Sequence, residues 1–141
     1  MSVNLLYMSH DCPNTNHPIT VMAMATVGPR SGYLSGYIVN IPDLEHFMEN
    51  CQIQKSDCVV AKLRRINKWI RAQKATPPVP TLCCAMVDDE PVGFVLTNYL
   101  LTLPKNVPET ERDKELRSRF AKAGDLEAES STWQFTVIPN Y

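Results

Sequence analysis

The sequence predicts an α+β protein in which a mixed, mainly antiparallel sheet packs against two or three helices. The longest apolar segment, residues 81–103, has a polar turn at its centre. Residues 42–51 and 56–74 carry apolar side chains at helical spacing, and residues 130–141 read as a closing strand. The chain has 141 residues, of which 44% are hydrophobic, so we expect one domain with its own core.

Residues 81–103 are predicted to form the central hairpin. Leu82–Val87 and Val92–Leu103 are rich in apolar and aromatic residues, and residues 88–91 form a polar turn between them. Both strands are apolar at nearly every position, which predicts cover on both faces, as helices on a sheet provide. Cys83 and Cys84 then point to opposite faces, and buried packing is their expected role, in preference to nucleophilic catalysis.

The N-terminal residues 1–37 carry no recognisable motif. The sequence predicts an edge strand over Val3–Met8, a loop over residues 10–18, and two strands over residues 19–27 and 32–41. Tyr33 and Tyr37 fall on one face of the last of these strands. There they either pack in the core or line a ligand groove.

Two helices are predicted before the hairpin. The first begins near Pro42, and the second is capped by Ser56. The basic residues of the second helix, over residues 59–74, either bind phosphates or form a solvated face paired with acids elsewhere. These basic residues are Lys62, Arg64, Arg65, Lys68 and Arg71.

Residues 104–129 are predicted to be a charged, peripheral insertion. They contain a helix from Pro108 to Ala123, ended by Gly124, in which opposite charges recur three or four residues apart. Only Leu116, Phe120 and a few alanines are suited to a core. We therefore expect this segment to be solvated on most sides.

Charge and cysteine content restrict the function classes. The formal net charge is −1, so nucleic-acid binding would require a local basic patch. The sequence contains no secretory signal and no apolar window long enough to span a bilayer. Its five cysteines have no repeating spacing and are expected to be reduced thiols in the cytoplasm. The cysteines and histidines lack the paired short spacings, such as C-x-x-C, that are typical of structural zinc sites. No metal site is therefore predicted.

The order helix, helix, hairpin, strand resembles the first half of the GNAT family of N-acetyltransferases. The resemblance rests on IVNIPDLEHF (residues 38–47), on AMVDDEPVGFVLTN (residues 85–98), which includes Gly93, and on FTVIPNY (residues 135–141). It spans residues 38–141 and leaves residues 1–37 unexplained. It implies the N-terminal half of an acetyl-CoA-dependent fold.

The resemblance also implies site residues. The backbone of Thr136, Val137 and Ile138 would align the pantetheine arm and acyl carbonyl of acetyl-CoA. Glu129 or Ser131 would stand in the place of the general base. The glycine loop that holds the pyrophosphate in this family does not follow the last strand here. We therefore expect reduced or absent catalysis by this chain alone.

Three function classes remain open on the sequence. The chain is a GNAT-like acyltransferase half or remnant, a non-catalytic protein-binding or inhibitory module, or a small nucleic-acid-binding protein that uses helix 59–74. Of these, the nucleic-acid class is not favoured, and no membrane partner is expected. The last strand would expose an unpaired sheet edge, so we expect a second copy, another protein chain or residues 1–37 to cover it.

Overall fold

The computed structural model describes residues 3–6, 32–102 and 107–139, with residues 3–6 described as backbone only. The α+β class is confirmed, with four helices in the described ranges where the sequence predicted two or three. The predicted strand over residues 19–27 and the loop over residues 10–18 lie outside these ranges. The strands are β1 (Val3–Leu6), β2 (Tyr33–Val39), β3 (Leu82–Val87), β4 (Glu90–Leu100) and β5 (Gln134–Pro139). The helices are α1 (Ile41–Asn50), α2 (Val59–Gln73), α3 (Glu111–Ala123) and α4 (Glu127–Ser130).

The five strands form one sheet in the order β1-β3-β4-β2-β5, and every pairing is antiparallel. From β2 onward the chain makes two interleaved β-α-β units. The α1–α2 crossover links β2 to β3 past β4, and the α3–α4 crossover links β4 to β5 past β2. This connectivity is the split β-α-β, or ferredoxin-like, arrangement. It places β2 and β4 at the centre of the sheet.

The sheet buries side chains on both faces, but in the described ranges helices pack on only one. The main cluster joins the helices to one face of the sheet, through residues such as Tyr37, Leu82 and Val95. The second cluster consists of strand residues, and none of its buried members is more than 2% exposed. The expectation that helices cover both faces is therefore wrong for this part of the chain. The buried members of the second cluster are Leu34, Cys83, Ala85, Phe94 and Ile138.

The sheet is curled so that its two edge strands approach each other. Cα atoms of β1 and β5 come within 8 Å. Neighbouring strands lie about 4.8 Å apart, so an additional strand does not fit at this approach. The prediction that the last strand belongs in the sheet is confirmed, although it begins at Gln134 and not near residue 130. Strand β1, which lies within the N-terminal 37 residues, is therefore beside the outer edge of β5.

The central hairpin is confirmed, with a shorter turn than the sequence predicted. Only Asp88 and Asp89 connect β3 to β4, with φ angles of 52° and 65°. Two consecutive positive φ angles are typical of the type I′ turn, whose twist matches that of the strands. Glu90 and Pro91 belong to β4. Cys83 and Cys84 lie on opposite faces as predicted.

The first two helices begin close to their predicted positions. The side chain of Asn40 caps α1 by accepting a hydrogen bond from the Asp43 backbone N–H. The cap of α2 is Cys58, so the prediction of Ser56 is wrong. Ser56 Oγ instead accepts from the Cys58 backbone N–H at 3.2 Å, in the turn before the helix. Cys58 is disulfide-bonded, so the expectation that every cysteine is a reduced thiol is also wrong.

Helix α3 is part of the core. Thr110 and Asp113 form a reciprocal capping box at its start, and Gly124 ends it as predicted. Phe120 is fully buried and stacks on Phe47, with ring centroids 5.0 Å apart. The segment is therefore the second crossover of the fold, and the buried residues of its helix are Asp113, Phe120 and Ala121.

Candidate functional site

An open groove runs between α2, the chain that leads into β3, and one flank of α3. It consists of two adjoining cavities of about 520 Å³ and 570 Å³, which share Val79 and Arg119. Helix α3 lines it from Arg112 to Ala123, a length of about 17 Å at 1.5 Å per residue. We call it the α2–α3 groove. Its polar end lies near β4, and its apolar end lies near the last turns of α2.

The polar end is formed at a bulge in the central strand pair. The pairing of β2 with β4 skips Thr97, which is an extra residue in β4. Thr97 Oγ1 donates a hydrogen bond to the Ser35 carbonyl at 3.1 Å. Residues 96–99 line the cavity, and Thr81 lies beside them, with its carbonyl accepting a hydrogen bond from the Leu96 backbone N–H at 3.4 Å. The bulge therefore lies in the wall of the groove, while the side chains of Leu96 and Tyr99 pack against the second cluster.

Glycine at position 36 permits the close approach at this bulge. A Cβ atom there would lie 2.0 Å from the Val95 carbonyl oxygen. A glycine inside a predicted strand is a known signal for a bulge or a close backbone approach. This signal, at Gly36, was the one available in the sequence for the polar end of the groove.

Positive charge is in excess along the groove. Of the described residues, three cationic side chains and one acidic side chain line it, although the whole chain has a net charge of −1. Arg119 forms an ion pair with Glu115 one turn away. The Arg112 side chain is exposed and makes no hydrogen bond or ion pair with any residue in the described ranges. Lys122 lines the apolar end.

The apolar end is built on the aromatic core. Trp69 packs edge-to-face against Phe47, with ring centroids 5.7 Å apart. Ile70, Pro77 and Val79 complete this wall, and Ala123 faces it from α3. Because Trp69 contacts a buried ring, its position is fixed before any ligand arrives.

The opposite flank of α3 is tied to β2 by a partly buried polar cluster. The Tyr37 hydroxyl donates to the Glu109 carboxylate, and Arg117 Nη1 lies 3.7 Å from the same carboxylate. The Arg117 guanidinium also lies over the Tyr37 ring, 5.2 Å from its centroid. Burial and then the hydrogen bond to Glu109 raise the pKa of Tyr37. These contacts fix α3 on the sheet, and with it the arginines on the groove side.

The site residues implied by the GNAT resemblance lie elsewhere. Glu129 is in helix α4, and Ser131 follows that helix, exposed, with its hydroxyl donating to the Ala128 carbonyl at 3.0 Å. Neither lies on the last strand. Thr136 and Val137 are half-buried on β5, and Ile138 is fully buried in the second cluster. None of the five lines the α2–α3 groove.

The basic residues of α2 are partly used within the fold. Lys62 is 5% exposed, and its Nζ donates to the Ser56 carbonyl at 2.5 Å and lies 3.5 Å from Glu45. Arg65 donates to the carbonyls of Gln54 and Lys55 at 2.9 Å and 2.6 Å. The patch proposed for phosphate binding therefore has fewer available charges than the sequence indicates.

The described residues offer no obvious nucleophile or metal site. Burial raises the pKa of Cys83 and of Cys84 to about 12, so both remain protonated thiols near neutral pH. Within the described ranges, no three His, Cys, Asp or Glu side chains lie close enough to hold a metal ion. In the same ranges, no helix has the length and apolarity needed to cross a membrane.

Comparisons with known proteins do not identify the chain. No protein-family model, no curated protein and no solved structure matches it. The GNAT resemblance therefore stays a prediction that depends on short motifs. The split β-α-β connectivity describes the fold and does not assign a function, because one fold serves many activities.

Proposed function

We propose that this protein is a binding module that holds an acidic, partly apolar segment of another protein in the α2–α3 groove. The observation that carries the proposal is the groove itself, which combines an excess of positive charge with an apolar wall. The proposal develops the hypothesis of a protein-binding module. It concerns a different surface from the last strand.

The length of the groove favours a peptide. An extended chain advances about 3.3 Å per residue, so about 17 Å of groove accommodates roughly five residues. Proteins usually enclose a small molecule in a cleft that buries most of its surface. An open groove lined along a whole helix flank suits a linear segment better.

The walls of the groove offer a bound segment both apolar contacts and electrostatic attraction. Trp69 and Val79 offer apolar surface next to the core, and aromatic side chains of this kind often dominate the binding energy of interfaces. Arg112, Arg119 and Lys122 favour acidic side chains and disfavour basic ones. Because α3 is fixed by the cluster of Tyr37, Glu109 and Arg117, little ordering is required on binding.

The N-acyltransferase hypothesis is supported by the motifs alone and needs a separate test. Calorimetric titration of the full chain with acetyl-CoA provides it. We expect no low-micromolar site in residues 1–141, since their five glycines form no loop that could hold the pyrophosphate. A tight isotherm with one site per chain would favour the acyltransferase hypothesis over the peptide-binding hypothesis.

Selection from a display library of short random peptides tests the groove. We expect the full chain to enrich peptides with Asp or Glu and at least one aromatic or large aliphatic residue. Selected peptides should bind more weakly to Arg112→Glu and Lys122→Glu, and equally well to Lys68→Glu, which reverses an exposed charge outside the groove. Absence of enrichment, enrichment of basic peptides, or equal binding to all variants would contradict the proposal.

A further inference from the structure

We propose that the partner segment carries a phosphorylated serine or threonine, held at the polar end of the groove, with an apolar residue about five positions away at the apolar end. This inference rests on the proposed function and names the chemistry of the partner. It uses the unequal composition of the two ends.

Within the described part of the chain, the polar end offers hydrogen-bond donors and no acidic side chain. Arg112 and Arg119 both line this cavity, and none of the described Asp or Glu residues does. Thr81 and Asn98 add a hydroxyl and an amide. The Arg112 side chain has no partner among the described residues, so its guanidinium can bind a ligand without breaking a contact to any of them.

A phosphate uses this arrangement more fully than a carboxylate does. It carries a charge of about −1.5 to −2 near neutral pH and three strong acceptor oxygens. Two guanidinium groups match that charge, and each can donate two parallel hydrogen bonds to phosphate oxygens. Arg119 is held by Glu115, whose side chain is 60% exposed. A surface ion pair of this kind contributes little to stability, so Arg119 can leave Glu115 and bind a phosphate at a small cost in free energy.

The apolar end sets the register of the segment. Along α3, Arg112 and Ala123 are separated by about 17 Å, which an extended chain covers in about five residues. Trp69 and Ile70 form the opposite wall at the Ala123 end. An apolar anchor at that distance from the phosphorylated residue reaches this wall, whereas an anchor adjacent to it does not.

Three synthetic peptide libraries test the inference by fluorescence anisotropy with the full chain. The libraries share random flanking positions and differ in one fixed residue, which is phosphoserine, serine or glutamate. We expect the phosphoserine library to bind at least roughly tenfold more tightly than the serine library, the effect of one charge-assisted contact. Sequencing of the bound fraction should show an apolar preference about five positions from the fixed residue.

Separate variants test the role of each end of the groove. Arg112→Gln should weaken phosphoserine binding roughly tenfold or more and weaken binding of the serine library by a smaller factor. Ala75→Asp places a charge at the apolar end, on an exposed residue, and should remove the apolar preference while phosphate discrimination remains. Lys68→Gln is the matched control for loss of a positive charge. Thermal melts should be the same for all three variants, because each changed side chain is exposed.

The outcomes separate this inference from the proposed function. Equal binding of the phosphoserine and glutamate libraries, both sensitive to Arg112→Gln, would overturn the phosphate inference and leave the acidic-peptide function standing. Phosphoserine binding that is insensitive to Arg112→Gln would also overturn the inference. Failure of all three libraries to bind would overturn both proposals.

Discussion

The two crossover helices use their positive charges in opposite ways. In α2, Lys62 and Arg65 turn toward backbone carbonyls and close the connection from α1. In α3, Arg112 is exposed along the groove with no partner in the described ranges, and Arg119 is paired only at the surface. Sequence alone makes α2 the basic helix and α3 a balanced one. The structure shows that exposed cations remain on both helices, such as Lys68 on α2 and Arg112 on α3, and that the α3 cation lines the groove.

The difference has a geometrical cause. The chain between α1 and α2 leaves carbonyl groups that no regular element satisfies, and long cationic side chains of α2 reach them. In helix α3, the capping box of Thr110 and Asp113 satisfies backbone N–H groups at the start of the helix. Its cations are therefore not needed to satisfy the backbone. A count of charges per helix does not contain this information.

Reversing the charge of the buried lysine should have the largest effect. Lys62→Glu places a carboxylate beside the Ser56 carbonyl and Glu45, where the lysine is 5% exposed. Breaking a buried charged contact costs about 3 kcal/mol or more, so we expect a large decrease in the free energy of unfolding by urea. Lys68→Glu, exposed on the same helix, is the control and should unfold like the parent chain. Similar curves for both variants would show that α2 does not use its lysine internally.

The anchor of α3 should give the next largest effect. Glu109→Gln keeps an acceptor for the Tyr37 hydroxyl but removes the ion pair with Arg117, whose Nε is already buried without a partner in the described ranges. An unsatisfied buried group costs about 1–3 kcal/mol, so the unfolding midpoint in urea should fall. Peptide binding in the groove should weaken with it, because α3 carries the arginines.

The control for the α3 anchor is Glu111→Gln. It removes an exposed acid of the same helix, 93% exposed and paired only with Lys114. It should change neither stability nor binding. If Glu109→Gln behaved the same way, the cluster would not be what positions α3.

Local patterns predicted the elements of the fold well. Apolar runs on either side of Asp88 and Asp89 mark the hairpin, and Pro42 marks the start of α1 within one residue. These signals depend on neighbours in the chain. The order of strands does not, because the placement of β2 between β4 and β5 is decided by how the two crossovers pack.

The site was not predictable from local patterns. In the sequence, Arg119 reads as one member of a helical ion pair with Glu115, and Arg112 as a further surface charge. Tertiary contacts, such as the packing of Phe120 on Phe47, determine which flank of α3 faces the groove. Gly36 was a usable signal for the bulge, but its partner on β4 requires the strand register.

Within α2, two neighbouring arginines should differ by a smaller amount. Arg65→Glu loses hydrogen bonds to two carbonyls, and we expect a cost of about 1 kcal/mol in chemical denaturation. Arg64→Glu loses no such contact and should be neutral. Charge reversal at Arg65 is therefore expected to lower stability, whereas charge reversal at Arg64 is not. Equal costs would mean that the carbonyl contacts of Arg65 do not stabilise the crossover.

The smallest effect on stability is expected at Arg112, the residue that we expect to contribute most to binding. Arg112→Glu changes an exposed side chain without a partner in the described ranges, so the free energy of unfolding should stay within about 0.5 kcal/mol of the parent value. Affinity for acidic or phosphorylated peptides should nevertheless fall, because an attractive charge becomes repulsive at the polar end of the groove. Urea denaturation and anisotropy on the same preparation measure both quantities. Lys62→Glu should show the reverse, with stability lost first and binding affected only through unfolding. A loss of stability in Arg112→Glu as large as that in Lys62→Glu would remove the distinction between the two helices, since both sets of charges would then be structural.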